Sequence, residues 1–144
     1  MSGNAGRSLA IAATAIVVAA VATAIVVMGG PSAQRERRLD ERRVQDLARI
    51  ERGVRAYREQ HGRLPRDLAT LAQEPGRRLP RDPGTDAGYD YEAVDARRFR
   101  MCAEFATDTA QLPEGEESWS DEKWSHPAGR HCFERDAAKR EEDR

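Results

Sequence analysis

An uninterrupted apolar run near the amino terminus constrains this chain more than any other feature. Residues 9–28, LAIAATAIVVAAVATAIVVM, carry no charge, and threonine is the only polar residue type among them. With a rise of about 1.5 Å per residue, a helix of this length would span the roughly 30 Å hydrocarbon core of a bilayer. We therefore predict a transmembrane helix at 9–28. A cleaved secretory signal is the alternative, although the apolar core of such a signal is usually only about 7–15 residues long.

The remainder of the chain is hydrophilic. Charged residues make up 34% of the 144 residues, yet the formal net charge is only -1. A protein without a strong net charge lacks the field that attracts nucleic acid, so we predict no nucleic-acid partner. The roughly one hundred residues that follow the apolar run suffice for one small domain.

A helix-breaking sequence follows the apolar run. Gly29, Gly30 and Pro31 should interrupt the helix, because glycine has low helix propensity and proline lacks an amide hydrogen. We therefore predict five segments: an amino-terminal tail (1–8), a transmembrane helix (9–28), a hinge or linker (29–38), a small domain (39–133) and a charged tail (134–144).

The charges that flank the apolar run bear on its orientation. Five arginines lie between residues 35 and 43, whereas Arg7 is the only one before the run. By the positive-inside rule alone, the bulk of the chain would lie in the cytoplasm. One functional hypothesis follows from this pattern. The protein would be a membrane-tethered cytoplasmic adaptor whose arginine-rich juxtamembrane stalk binds anionic lipid or a protein partner, with its cysteines reduced.

Apolar residues then recur at helical spacing. The stripe consists of Val44, Leu47, Ile50, Val54 and Tyr57. Steps of three and four residues predict an amphipathic helix from about Arg35 to His61, which Gly62 should end by adopting the left-handed conformation. The stripe is too short for sustained heptads, so we predict that it packs on its own domain rather than in a coiled coil. We interpret Tyr57 and His61 as a core residue and a cap.

A short helix and two strands are predicted after this helix. Leu64, Leu68 and Leu71 would share one side of a helix that starts near Asp67. Alternating apolar and polar residues predict strands at 88–94 and 97–106, and the turn between them suits a tight hairpin. The expected fold is therefore α+β, with a transmembrane helix, an amphipathic stalk helix, a short helix and a small antiparallel sheet.

Several short motifs in this part of the chain occur in an order found in a known family. They are Tyr57, His61-Gly62-Arg63-Leu64-Pro65, Asp82-Pro83 and Tyr89-Asp90-Tyr91. Over residues 44–105 the chain resembles the soluble part of type II secretion major pseudopilins and related type IV pilin-like proteins. Family members carry a glutamate five residues into the mature chain, where Ile11 would stand if cleavage followed Gly6.

The resemblance implies a location and a role. It implies a non-enzymatic, pseudopilin-like domain on a single-pass anchor in the bacterial inner membrane, with the bulk of the chain outside the cytoplasm. Such a domain would contribute to an envelope or secretion-related assembly, so its expected partners are the lipid bilayer and other proteins of that assembly.

Two cysteines occur in the predicted small domain. Cys102 lies in the second predicted strand, and Cys132 follows in the sequence His131-Cys132-Phe133, where apolar character returns to an otherwise polar segment. We predict a disulfide between them, closing a loop of about thirty residues and stabilising the domain by about 3–4 kcal/mol. Disulfides persist outside the cytoplasm, so this bond would oppose the orientation that the arginines favour. Two unrelated buried thiols are the alternative.

An acidic segment separates the two cysteines. Its carboxylates are Glu114, Glu116, Glu117, Asp121 and Glu122. The resemblance implies calcium binding in a carboxyl-terminal loop, so calcium at 114–122 is one expectation. The spacing does not match an EF-hand, and a solvated acidic loop is the other interpretation. Trp119 and Trp124 lie in the same segment, and we expect at least one of them to pack on the domain.

The cysteines and histidines of the predicted domain could also serve a metal site or a catalytic site. A zinc site could draw on His126, His131, Cys102 and Cys132, but paired Cys-x-x-Cys spacing is absent. Cys102 as a nucleophile with a histidine base is a further alternative, without a flanking signature.

There is no phosphate-binding glycine loop, Gly-x-Ser-x-Gly elbow or His-Glu-x-x-His helix. We therefore predict that the protein is not an enzyme; a small metal-dependent hydrolase is the remaining enzymatic alternative.

Overall fold

A computed structural model of the chain describes residues 3–28, 30–110 and 122–138. Within these ranges the helices are α1 (Gly3–Met28), α2 (Pro31–His61), α3 (Leu68–Ala72) and a short 3₁₀ helix (Glu122–Trp124). The strands are β1 (Asp90–Ala93), β2 (Arg98–Phe105) and β3 (Gly129–Asp136). The described residues therefore form an apolar amino-terminal helix, further helices and a small antiparallel sheet, which agrees with the predicted α+β class.

Helix α1 contains the apolar run. Residues Gly6–Ile25 are long and apolar enough to cross a membrane, and none of the most apolar window is buried by the rest of the chain. A signal sequence near the amino terminus can also be long and apolar enough to meet this criterion. Thr14 and Thr23 donate their hydroxyl groups to the carbonyl oxygens four residues earlier, at 2.9 and 2.8 Å. The only polar side chains of the run therefore find acceptors within the helix, as an apolar surrounding requires.

Helix α2 begins earlier than its apolar stripe indicates. It starts at Pro31, four residues before the predicted start near Arg35, so residues 31–38 of the predicted linker are all helical. Proline is well tolerated in the first turn of a helix, where its missing N–H has no intrahelical partner in any case. The amide of Gln34 donates to the carbonyl of Gly30 at 3.2 Å and opens the helix. The chain divides into two compact units, residues 1–35 and 36–144, and the domain described below belongs to the second.

The core of the second unit lies between α2 and the sheet. Four residues of the predicted stripe, Leu47, Ile50, Val54 and Tyr57, are buried, and Val44 packs against them while partly exposed. They share one apolar cluster with the inward side of β2, whose buried residues are Phe99, Met101, Ala103 and Phe105. Gly62 ends α2 with φ +71°, the left-handed conformation that the sequence analysis expects there.

The sheet has three strands in the order β1-β2-β3, all antiparallel. The first two strands match the predicted hairpin, although each is shorter than its predicted span. The third strand was not predicted: residues 134–136, assigned to the charged tail, belong to β3. The alternation of β3 is hidden in the sequence because Arg135, only 8% exposed, occupies an inward position where an apolar residue would be expected.

Candidate functional site

Arg43 lies between two carboxylates on the buried side of α2. Its Nη1 donates to Oδ1 of Asp40 at 2.7 Å, and its Nε donates to Oδ2 of Asp82 at 2.6 Å. The three side chains, Arg43, Asp40 and Asp82, are exposed by only 9%, 4% and 10%. Because water screens buried charges little, this ion-pair network ties α2 firmly to the turn that begins at Asp82.

Both carboxylates also accept hydrogen bonds from the backbone. Asp40 accepts from the amides of Ala106 and Thr107 at 3.0 and 2.7 Å, immediately after the end of β2. Oδ1 of Asp82 accepts from the amides two and three residues further along the chain, at 2.9 Å each. The network thereby joins α2, the 82–85 turn and the end of β2, which are far apart in sequence.

The ion pair changes the acidity of Asp82. The hydrogen bond from Arg43 lowers the pKa of this carboxyl to about 2, although burial acts in the opposite direction. An unfolded aspartate has a pKa of about 3.9, so the folded value is depressed. The carboxylate therefore contributes stability at pH values above about 4, and this contribution is lost as the pH falls towards about 2.

A measurement of stability against pH tests this assignment. We expect the free energy of unfolding, obtained by urea denaturation of the full chain in nonionic detergent, to decrease as the pH falls from about 4 to about 2. The decrease should be shallower in Asp82→Asn, because that side chain cannot titrate. The control is Asp86→Asn, which removes an exposed carboxylate nearby and should keep the original slope. An unchanged slope in the Asp82 variant would contradict the pairing.

A second aspartate of α2 positions an exposed arginine. Tyr89 donates its hydroxyl to Oδ2 of Asp46 at 3.0 Å, and burial raises the pKa of Tyr89 so that the hydroxyl keeps its proton. Nη1 of Arg49 lies 3.5 Å from the other oxygen of the same carboxylate. The side chain of Arg49 is 60% exposed, so this ion pair is weak, and the guanidinium group remains available to other anions.

A cleft of about 300 Å³ opens beside this part of α2. Its lining consists of Arg49, Ile50 and Gly53 of α2, Leu71 of α3, and residues 75–80. The last segment contributes Arg77, Arg78 and Leu79. Three arginines and several apolar side chains therefore share one small concave surface, a combination that suits recognition of a small anionic group. We call this surface the arginine cleft.

Gly53 allows a guanidinium group to lie against the helix. Glycine in a helix interior is destabilising by roughly 0.5–1 kcal/mol relative to alanine. A Cβ atom at this position would lie 2.6 Å from Nη1 of Arg77 and 3.3 Å from Cδ2 of Leu71. The first distance is too short for a normal contact, so any side chain at position 53 would displace the guanidinium group of Arg77.

The two cysteines form the disulfide that the sequence analysis predicts. Cys102 and Cys132 are direct partners in the register of β2 and β3, and a covalent bond joins their sulfur atoms. Neither cysteine therefore offers a thiolate to a metal ion or to a substrate. The bond holds the third strand on the central strand at the middle of their pairing.

The two histidines of the zinc alternative each pack against an aromatic ring. His126 is 1% exposed, stacks on the ring of Phe105 at 3.7 Å between centroids, and has its pKa lowered chiefly by burial. His131 lies in β3 and contacts the ring of Phe133 edge-on. Among the residues that the structure describes, no group of three or more histidine, cysteine or acidic side chains is placed to hold a metal ion.

The proposed calcium segment lies almost wholly outside the described residues. Of residues 114–122, the structure describes only Glu122, which begins the 3₁₀ helix. Trp124 ends that helix and is 3% exposed, which confirms that one tryptophan packs on the domain. The guanidinium group of Arg135 lies over the ring of Trp124, with Cζ 4.6 Å from the ring centroid.

Tyr57 and His61, near the end of α2, contact each other. The rings of Tyr57 and His61 lie 4.1 Å apart between centroids, and Nε2 of His61 is 3.1 Å from Oε1 of Glu74. Tyr57 is buried in the core, while His61 is exposed at the helix end. These contacts agree with the interpretation of a core residue and a cap.

The arginine cleft was not predicted from the sequence. Gly53 and Arg77 are far apart in the sequence, and only the fold brings them together. One local signal was available, since Gly53 is a helix-destabilising residue within a strongly helical pattern. Such a residue indicates a close approach by another group but does not say which group approaches.

The described residues thus form a disulfide-bonded α+β domain with an arginine cleft, preceded by an apolar helix. Comparisons with protein-family models, with curated proteins and with solved structures give no match for this chain.

Proposed function

We propose that this protein is a non-enzymatic, single-pass membrane protein whose small domain is pseudopilin-like and lies outside the cytoplasm. In this proposal the domain contributes to an envelope or secretion-related assembly at the bacterial inner membrane. The observation that carries the proposal is the disulfide between Cys102 and Cys132 in a chain that also has a membrane-length apolar helix. Disulfides form and persist in oxidising compartments and are rare in the cytoplasm.

The order of elements also supports the proposal. A long helix whose apolar stripe packs on a small antiparallel sheet matches the arrangement expected for a pseudopilin-like domain. Two features set this chain apart from filament-forming members. The apolar run carries no glutamate, and the helix-breaking sequence Gly29-Gly30-Pro31 follows it, whereas family members keep the membrane helix and the stalk continuous. The proposed role is therefore that of an assembly component, without the glutamate-dependent polymerisation of the family.

Thiol labelling in intact cells tests the proposal. A membrane-impermeant maleimide should label Cys102 and Cys132 only after treatment with a reductant, and it should not require cell lysis. This result is expected because the disulfide blocks both thiols, and because the proposal places the domain on the outer side of the membrane. The matched control is the double variant Cys102→Ala/Cys132→Ala, which should remain unlabelled under every condition.

The adaptor hypothesis makes the opposite prediction. Its specific support is the group of five arginines at 35–43, which favours a cytoplasmic location by the positive-inside rule. If both cysteines are labelled only after lysis and need no reductant, the domain lies in the cytoplasm with free thiols. That outcome would exclude the pseudopilin-like proposal in favour of the adaptor.

A further inference from the structure

The guanidinium group of Arg77 is positioned by the fold but has no acidic partner in the described part of the chain. Nη1 of Arg77 lies where a side chain at position 53 would begin. Within residues 36–110 and 122–138, no carboxylate oxygen lies within 4.0 Å of the nitrogen atoms of Arg77 or Arg78. The domain thus contains two neighbouring arginines that line a cleft without neutralisation by the described residues.

The shape and chemistry of the cleft limit what it can bind. A volume of about 300 Å³ is at the small end of ligand sites in proteins. The planar fork of a guanidinium group matches the paired oxygen atoms of a carboxylate or a phosphate. Leu79 and Pro80, which are partly exposed, add apolar surface to the same lining. These features favour a small ligand that combines an oxyanion with a short apolar portion.

We propose that the arginine cleft is a binding site for a small oxyanion, either a carboxylate or a phosphate. The N–H groups of Arg77 bind its oxygen atoms, while Arg49 and Arg78 add positive charge at the same cleft. The apolar portion of the ligand contacts Leu79 and Pro80. Gly53 has a positioning role, because its missing side chain is what leaves space for the guanidinium group of Arg77. The site does not depend on which side of the membrane the domain occupies.

Titration of the full chain in nonionic detergent tests the site. The probes are inorganic phosphate and succinate, which separate the two oxyanion types, and the ionic strength is held constant. Binding is followed by NMR through the Nε–H signal of Arg77 and the amide signals of Gly53 and Gly76. We expect saturable shifts of these signals, and the probe that binds more tightly identifies the preferred oxyanion.

Gly53→Ala is the most informative variant because it changes no charge. Its methyl group would occupy the space beside Nη1 of Arg77 and displace the guanidinium fork. We expect the affinity for the better probe to fall about tenfold, as it should in Arg77→Gln. The thermal midpoint of Gly53→Ala should change little, since the higher helix propensity of alanine is offset by the 3.3 Å contact of its methyl group with Cδ2 of Leu71.

A control for general charge effects is Arg63→Gln. Arg63 is exposed and does not line the cleft, so this variant makes the same change in net charge and should leave the affinity unchanged. If Arg63→Gln and Arg77→Gln lowered the affinity for the probe equally, the proposal would be overturned, because binding would then depend only on the net charge of the protein. The proposal would also be overturned if neither probe gave saturable shifts, or if Gly53→Ala kept the original affinity.

Discussion

Replacing Arg43 with methionine is expected to lower the free energy of unfolding by about 3–5 kcal/mol at neutral pH. The variant would leave Asp40 and Asp82 buried without their shared cation. Removing one partner of a buried ion pair is much more costly than removing an exposed charge, since the remaining charge keeps its desolvation penalty. Urea denaturation of the full chain in nonionic detergent measures the change.

The neighbouring Arg42 provides the matched control for this prediction. It is exposed and has no ion pair among the described residues, so Arg42→Met should change stability by at most about 0.5 kcal/mol. An apolar replacement of the whole network is not expected to restore stability. Asp40 and Asp82 also accept backbone N–H groups, and those groups would lose their acceptors. Equal stability losses in the Arg42 and Arg43 variants would contradict the buried network.

Removing the disulfide is expected to lower the free energy of unfolding by about 3–4 kcal/mol. The bond joins residues 30 positions apart, and the chain-entropy argument assigns a cost of this size to a loop of that length. Small domains are commonly stable by only about 5–15 kcal/mol, so this change is a large fraction of the total. The variant is Cys102→Ala/Cys132→Ala, measured by urea denaturation beside the unreduced wild type.

A reductant gives the control for the disulfide prediction. It should destabilise the wild type by a similar amount and leave the double-alanine variant unaffected, because that variant has no bond to reduce. A loss below about 1 kcal/mol in both cases would mean that strand pairing alone holds β3 in place.

The parts of the fold that follow local periodicity were predicted from the sequence. Leu47, Ile50 and Val54 repeat at helical spacing, and their burial in α2 agrees with that pattern. Phe99 and Met101 alternate with polar residues, and they face the core from β2 as expected. In both elements the buried side consists of apolar residues, so the hydrophobicity pattern alone predicts which side faces the core.

The strand β3 could not be predicted by the same method. Its inward positions include Arg135, whose cation lies over the rings of Trp124 and Phe133 at 4.6 and 5.1 Å. An arginine in such a place resembles a solvent-exposed residue in any hydrophobicity pattern, although its burial is stabilised by aromatic faces. The charged residues after Cys132 were therefore assigned to a tail.

The buried network was missed for a related reason. Asp40 lies four residues before Val44, and Arg43 lies four residues before Leu47, so they continue the buried side of the stripe towards the start of the helix. The predicted apolar stripe did not include them. Their helical phase was an available signal, but their partner Asp82 is supplied by a turn almost forty residues away, which no local pattern indicates.

The bond between Cys102 and Cys132 also has a topological consequence. The chain from residue 102 to residue 132 is a closed covalent ring that contains the acidic segment 114–122. A protease that cuts this ring once separates no fragment from the protein, because both new ends remain linked through the two strands. Strand β3 therefore stays attached to α2 and the rest of the domain even after a cut in the acidic segment, for as long as the bond remains oxidised.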